Sequence, residues 1–272
     1  MDIIFHGVRG STPVPLSNFQ KYGGNTTCIE IRHPSFQIIL DAGTGFQNVE
    51  ILGDRPTFLL FSHFHYDHLQ GLPFCPGLFD PTRSILISSA LVTKQELRET
   101  LGQAFKPSYF PIPLFDAFSH LKVVEFKEIK KSLSDLCEIS SLELNHPGGA
   151  AACILKVDNI KICVFLDHEH GQEGNKRDEE LYKIAQNSDL VIWDGMFIDS
   201  ELPAKKGWGH SSIQQGLDFA TAVSCKKMAI CHHAPTRTDK QLEKLAQKHE
   251  NNIVKLIKEG TKFKFNFNLL LY

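Results

Sequence analysis

Thr57-Phe58-Leu59-Leu60-Phe61-Ser62-His63-Phe64-His65-Tyr66-Asp67-His68 is an apolar run followed at once by four side chains able to hold a metal. An uninterrupted apolar run of this length reads as a strand buried on both faces. Alternation along an extended chain sends His63 and His65 to the same side, so both can face one ion from the strand's end. Asp67 and His68 follow at the chain reversal, placed to serve a neighbouring ion. Neutral imidazole and carboxylate suit zinc and other first-row divalent metals, and several converging ones make a site. A His-rich surface turn is the bland alternative. It suits a lone histidine better than four ligands at H-x-H-x-D-H spacing.

Further ligand types stand at other strand ends. His146 follows a strand predicted over 139–144, and Asp167 ends one predicted over 160–166. Cys231-His232-His233 closes a strand over 227–231; neighbours on an extended chain face opposite ways, so one of the two histidines points inward. Asp41 ends the run Ile38-Ile39-Leu40 before a sharp Gly-rich turn. Its carboxylate either orients a ligand histidine through the ring's other N–H or caps the turn itself.

Short β-branched or apolar runs predict strands over 2–6, 28–32 and 36–41. The long loop between the first two carries Arg9-Gly10-Ser11 and Tyr22-Gly23-Gly24, an ordinary turn or an anion cradle. A short helix is expected over 69–76 and a strand over 84–88. Thr93 and Glu96 form a capping-box signature that opens a helix running to Phe105. Residues 106–118 are too proline-rich for a helix and too aromatic for a floppy linker, and form a lid over a pocket or pack on the body. Strands follow over 121–126, 139–144, 152–157 and 160–166, the last two joined by a tight turn at Asp158-Asn159. Then come a helix over 178–186, a strand over 189–194, a helix over 211–222, a strand over 227–231 and a helix over 239–257. An all-β opening followed by β/α alternation predicts an α+β fold, two sheets sandwiched between helices. No linker, charge block or repeat divides the chain, so a single domain over 1–272 is expected.

With 272 residues, 42% of them hydrophobic, the chain can bury a large core without disulfide staples. Its seven cysteines are scattered with no C-x-x-C pair, which suits reduced, buried thiols in a reducing compartment. The N-terminus lacks a signal peptide pattern and no run is long enough for a membrane span, so a soluble, cytoplasmic protein is expected. A net charge of −2 argues against a broad footprint for long nucleic acid. The pairs Lys130-Lys131, Lys205-Lys206 and Lys226-Lys227 read as solvated faces.

Taken together, Asp41, His63-x-His65-x-Asp67-His68, His146, Asp167 and His232 resemble the ligand series of the metallo-β-lactamase superfamily, in its order and over nearly the whole chain. The resemblance implies an αββα sandwich, two mixed sheets face to face with helices outside and the metals at one edge. It implies that His63, His65 and His146 hold one divalent ion, Asp67, His68 and His232 a second, with Asp167 bridging. Zinc is the expected metal, with manganese or iron as alternatives. His65 stands where the di-iron oxygen-reducing branch carries Glu. Trp193-Asp194-Gly195 and Gly209-His210-Ser211-Ser212 are similar to the phosphodiesterase branch that contains ribonuclease Z and cyclic phosphodiesterases, in which an acidic residue and a histidine sit beside the metals. Asp194 and His210 are the matching positions. Asp194 replaces the usual Glu and Ser212 the usual Thr, and no long basic arm follows residue 145 of the kind ribonuclease Z uses to grip tRNA.

The expected activity is hydrolysis of a small or cyclic nucleotide phosphodiester by a metal-bridging hydroxide oriented by Asp67, with His210 as general acid and Asp194 holding its tautomer. A homodimer would fit the related phosphodiesterases. Alternatives are a lactone, thioester or lactam hydrolase of the same fold, a tRNA 3′-processing endonuclease, or a non-catalytic metal-stabilised binding module.

Overall fold

The computed structural model describes residues 1–171 and 176–266; the remainder of the expected single domain lies outside the described residues. In chain order the first half runs β1 (Asp2–Gly7), β2 (Cys28–Arg32), β3 (Gln37–Leu40), β4 (Thr57–Phe61), α1 (Tyr66–Leu69), β5 (Ile85–Ser89), α2 (Lys94–Ala104), α3 (Leu114–Ala117), β6 (Lys122–Val123) and α4 (Phe126–Leu133). The second half runs β7 (Glu138–Leu144), β8 (Ala150–Val157), β9 (Ile160–Phe165), α5 (Lys176–Ala185), β10 (Leu190–Asp194), α6 (Ile213–Ala222), β11 (Met228–Cys231), α7 (Asp239–His249), β12 (Val254–Leu256) and β13 (Lys262–Lys264).

Two mixed sheets result, one ordered β13-β1-β2-β3-β4-β5-β6 and the other β12-β11-β10-β9-β8-β7. Strand β4 shows why its sequence is continuously apolar. Phe58 and Leu60 enter the core between the sheets. Leu59 and Phe61 face the opposite way, into a core shared with Leu97 and Leu101 of α2. Strand β10 repeats the pattern: Leu190 and Ile192 join the inter-sheet core, whereas Val191 and Trp193 meet Ile213 and Phe219 of α6. Each sheet thus buries both faces, one on its partner sheet and one on helices, the αββα arrangement.

In parallel pairing of β3 with β4, and of β10 with β9 and β11, the carboxyl ends of these strands point to a common edge. Loops at that end of an α/β sheet are where ligands bind. Three strand ends there turn on a strained residue, Asp41 at φ 62°, Asp167 at φ 57° and His232 at φ 58°. Left-handed backbone at a non-glycine residue costs of order 1–3 kcal/mol and persists where the surroundings over-determine it, typically at functional sites.

Several local expectations need correction. The helix expected over 69–76 instead begins at Tyr66, so Asp67 and His68 lie within α1; Leu72–Phe74 and Pro76–Phe79 are separate 3-10 turns broken by their prolines. The strand expected over 121–126 shrinks to Lys122–Val123, and α4 follows, capped reciprocally by Glu125 and Glu128 and burying Ile129 and Leu133. The helix expected over 239–257 stops at His249; Asn251 accepts the Val254 N–H through its side chain, and Val254–Leu256 runs parallel to β11. Strand β13 lies beyond the last expected element and pairs antiparallel with β1. Within 106–118 the stretch after Pro113 forms one helical turn, and Leu114 and Phe118 are buried against α2, which favours packing on the body over a lid. All seven cysteines are free, and burial pushes the Cys28 and Cys231 thiols up. Among the described residues no helix is long and apolar enough to cross a membrane.

Candidate metal centre

All seven expected ligands meet at the shared edge. His63 and His65 follow β4, Asp67 and His68 lie in α1, His146 follows β7, Asp167 follows β9 and His232 follows β11. Two groups form around Asp167. In one, His63, His65 and His146 bring ligand atoms within 4.8 Å of one another, and in the other Asp67, His68 and His232 do the same. Oδ1 of Asp167 lies 3.8 Å from His63 Nε2, 3.7 Å from His146 Nε2 and 3.4 Å from His232 Nε2, while its Oδ2 lies 3.1 Å from His68 Nε2. Ligands about 2.0–2.1 Å from a tetrahedral ion stand roughly 3.3 Å apart, so these spacings match donors that share ions.

Most of the rings are aimed by a partner on the far nitrogen. Nδ1 of His68 meets Asp41 Oδ2 at 2.8 Å, Nδ1 of His146 meets the Gly209 carbonyl at 2.8 Å, and Nδ1 of His232 meets Thr27 Oγ1 at 3.0 Å. Ser62 Oγ bridges Asp41 at 2.7 Å and His63 Nδ1 at 3.1 Å. With Nδ1 engaged, Nε2 is turned inward. His65 alone presents Nδ1, 3.1 Å from His146 Nε2. Asp41 therefore takes the first of its two expected roles, orienting His68, while its other oxygen accepts the Ser62 N–H at 2.8 Å. Asp67 is held by the Ser11 N–H at 2.6 Å, the contribution of the glycine-bearing loop.

Nε2 of His63, His68 and His232 and Oδ2 of Asp167 are buried without a hydrogen-bond partner among the described residues. Each such group costs about 1–3 kcal/mol if left alone. Four of them converging in one place, lone pairs inward, fit divalent cations. Protonation is divided among the rings: burial opposes charging of His68, yet the carboxylates of Asp167, Asp67 and Asp41 raise its pKa well above the ordinary value. Burial pushes His63 and His146 down, towards the neutral form a ligand needs. Burial opposes ionisation of Asp167, but His232, His68 and His63 around it hold its carboxyl well below the usual range.

Beside this cluster, His210 Nδ1 lies 2.7 Å from Asp194 Oδ2 and 3.8 Å from Asp167 Oδ1. Burial opposes protonation of His210, yet the Asp194 carboxylate, with Asp167 and Asp67 behind it, raises its pKa to about 9. Cations held by Asp167 and Asp67 would take back part of that rise. His233 faces away: its Nε2 donates to the Ile257 carbonyl at 2.8 Å, and burial pushes it down to about 3. His232 is the histidine at the site.

Thr27, Ser62, the Ser11 amide and the Gly209 carbonyl escaped the sequence reading. So did Glu169, whose carboxylate accepts the Gly207 and Gly209 N–H groups at 2.9 Å each. Backbone donors and acceptors carry no side-chain signature, and Thr27 is 205 positions from His232.

The two sheets between helices are the metallo-β-lactamase fold, and at its edge converge side chains able to hold divalent metals. In sequence, the chain is similar to ribonuclease Z of Picrophilus torridus, 22% identical over 290 residues covering 88% of each chain. Among solved structures it is similar to the human short-form tRNase Z, at a TM-score of 0.68 and 18% identity over 98% of this chain and 100% of that one. A diphosphatase of the PhnP family matches at 0.70 and 13% identity, over 97% and 98%. No family model matches the chain.

Proposed function

We propose that the protein is a dinuclear metallo-phosphodiesterase acting on small nucleotide phosphodiesters, linear or cyclic. The observation that carries this reading is the His210–Asp194 pair beside the ligand cluster, a buried acid placed 3.8 Å from the central Asp167. An alkoxide leaving from phosphorus needs a proton from such an acid, whereas the thiolate of a thioester leaves without one.

In this reading His63, His65 and His146 would hold one divalent ion and Asp67, His68 and His232 the other, with the Asp167 carboxylate within reach of both groups. When bound, the ions supply the acidified water and the positive charge that a phosphodiester anion requires. Asp41, Thr27 and the Gly209 carbonyl fix the tautomers of His68, His232 and His146. Asp67, with one oxygen on the Ser11 N–H, helps to orient water. His210 hands its proton from Nε2 to the departing oxygen, Asp194 holding Nδ1. Zinc suits the His-rich set, and manganese or iron would be accepted by the same ligands.

The names of the relatives favour a second reading, tRNA 3′-end processing. The stretch after Asn145 supports the small substrate instead, because between His146 and Asp167 the chain forms a hairpin of β8 and β9 closed by Asp158 and Asn159. Assay of zinc- or manganese-loaded protein against cyclic nucleotides, dinucleotides, bis(p-nitrophenyl) phosphate, a tRNA precursor, an acyl-lactone and a thioester separates the readings. Turnover confined to the lactone or thioester contradicts the proposal, and turnover of the tRNA precursor alone establishes the second reading.

A further inference from the structure

A cavity of about 630 Å³ opens beside His210, a size typical of small-ligand sites. His210 forms one wall, and Glu169, Asp199, Lys205 and Lys206 contribute the charged groups of the others. Both carboxylates are committed: Glu169 to the Gly207 and Gly209 N–H groups, Asp199 to the Ser212 hydroxyl at 2.5 Å. Two ammonium groups, Lys205 and Lys206, balance the two carboxylates in formal charge and, unlike them, are not tied to those backbone and hydroxyl donors. Far from being simply solvated, Lys205 is half-buried, its Nζ 3.6 Å from the ring centroid of Trp208 and 5.9 Å from that of Phe197. Trp208 is 56% exposed, an unusual position for an indole. The loop bearing it is clamped at both sides of Trp208 by Glu169 and is tied to the metal centre through the Gly209 carbonyl on His146. Lys205 and Lys206 thus belong to the cavity wall, and the exposed Trp208 ring is joined to that wall through its contact with Lys205.

Resting on the phosphodiesterase reading above, we propose that this cavity receives the leaving fragment of the substrate, and that the fragment is a nucleotide. Its base stacks at Trp208, its own phosphate sits at Lys205 and Lys206, and its departing oxygen lies at His210. Base stacking on an exposed aromatic residue and phosphate pairing with lysine are general modes of nucleotide recognition. In the reaction, the oxygen of water forms a bond to phosphorus while the bond from phosphorus to the fragment's oxygen breaks. His210 protonates that oxygen, and the protons of water restore His210 and balance the new phosphomonoester. The products are a phosphomonoester and a nucleotide with a free hydroxyl.

Intrinsic fluorescence gives a readout independent of turnover, because of the two tryptophans Trp193 is 1% exposed and Trp208 56%. The zinc-loaded protein is titrated with AMP, adenosine and inorganic phosphate. AMP is expected to quench the fluorescence with half-saturation at least tenfold below that of adenosine, and phosphate alone to leave it unchanged. Lys205→Ala combined with Lys206→Ala should bring AMP down to the adenosine value, and Trp208→Phe should weaken AMP about tenfold by calorimetry. Equal binding of AMP and adenosine, or unaltered AMP binding by the double lysine variant, overturns the subsite. Turnover of bis(p-nitrophenyl) phosphate without AMP quenching overturns the subsite and leaves the reaction class standing. AMP quenching that depends on the lysines, in a protein with no phosphodiester turnover, does the reverse.

Discussion

His210 Nδ1 lies 2.7 Å from Asp194 Oδ2, and the other oxygen of that carboxylate accepts the Met196 N–H at 3.0 Å. Asp194 is thereby engaged at both oxygens, fully buried at the end of β10, where it orients and charges the imidazole. Asp194→Asn keeps the shape and removes the charge that raises His210. A general acid must be protonated to act, so activity falls as pH rises through its pKa. The descending limb of the pH–rate profile is expected to move to lower pH in the variant, with turnover of an unactivated phosphodiester reduced roughly 10²-fold or more. An unshifted limb would assign it to another group.

Metal affinity should depend on residues that never touch the metal. Removing an outer partner typically costs 10–100-fold in metal affinity. Asp41→Asn, which disturbs His68 and Ser62, and Thr27→Val, which frees His232 Nδ1, are expected to weaken binding by about that much in competition with a chelator. Asp167→Ala should strip the centre more completely, seen as metal content per chain by mass spectrometry. A fully metallated Asp167→Ala protein would remove Asp167 from between the ions.

Much of this centre was legible because part of it is local. His63, His65, Asp67 and His68 lie in one short stretch, after a strand whose two-sided burial shows in its composition. His146, Asp167 and His232 are separated by long intervals, and only their place at strand ends and the resemblance joined them to it. Some failures were failures of local competition. The apolar spacing of α7 continues through Val254 and Leu256, but the Asn251 side chain caps the backbone there and β11 offers hydrogen bonds that a helix would forgo. In α4, Phe126, Ile129 and Leu133 carry a helical period that the β-branched run before them obscured. Contacts made by backbone, such as Gly209 to His146 and Ser11 to Asp67, had no signal to read.

Gly209 carries two constraints at once. Its φ is +82°, and a Cβ built there would stand 2.2 Å from His146 Nδ1 and 2.4 Å from Pro147 Cδ. Gly209→Ala is therefore expected to push His146 off its carbonyl and lower metal content, while Gly207→Ala, at the same φ but with nothing within 4 Å, pays only the backbone strain. Equal metal content in the two variants would show that the His146 contact is dispensable.

Glu30 should contribute to acid sensitivity. Burial pushes its carboxyl up, but hydrogen bonds from His6, Arg32 and Gln37 outweigh this and lower its pKa from 4.5 to about 2. A depressed carboxylate stabilises the fold above its unfolded pKa, and that stability is lost as pH falls from about 4.5 through 2. At ~1.36 kcal/mol per unit the effect is on the order of 3 kcal/mol. Denaturant unfolding between pH 6 and 2 should show Glu30→Gln less stable than wild type near pH 6, the gap closing towards pH 2. A constant gap would mean that Glu30 acts through shape rather than charge.

The most direct measurement compares two leaving groups in His210→Ala. A dinucleotide releases an alkoxide that needs a proton; bis(p-nitrophenyl) phosphate releases a stable phenolate that does not. With metal content verified as unchanged, turnover of the dinucleotide is expected to fall 10²–10⁴-fold and that of the aryl ester less than about tenfold. Equal losses on both substrates would contradict a proton-donating His210 and, with it, the phosphodiesterase assignment that rests on the Asp194 pair.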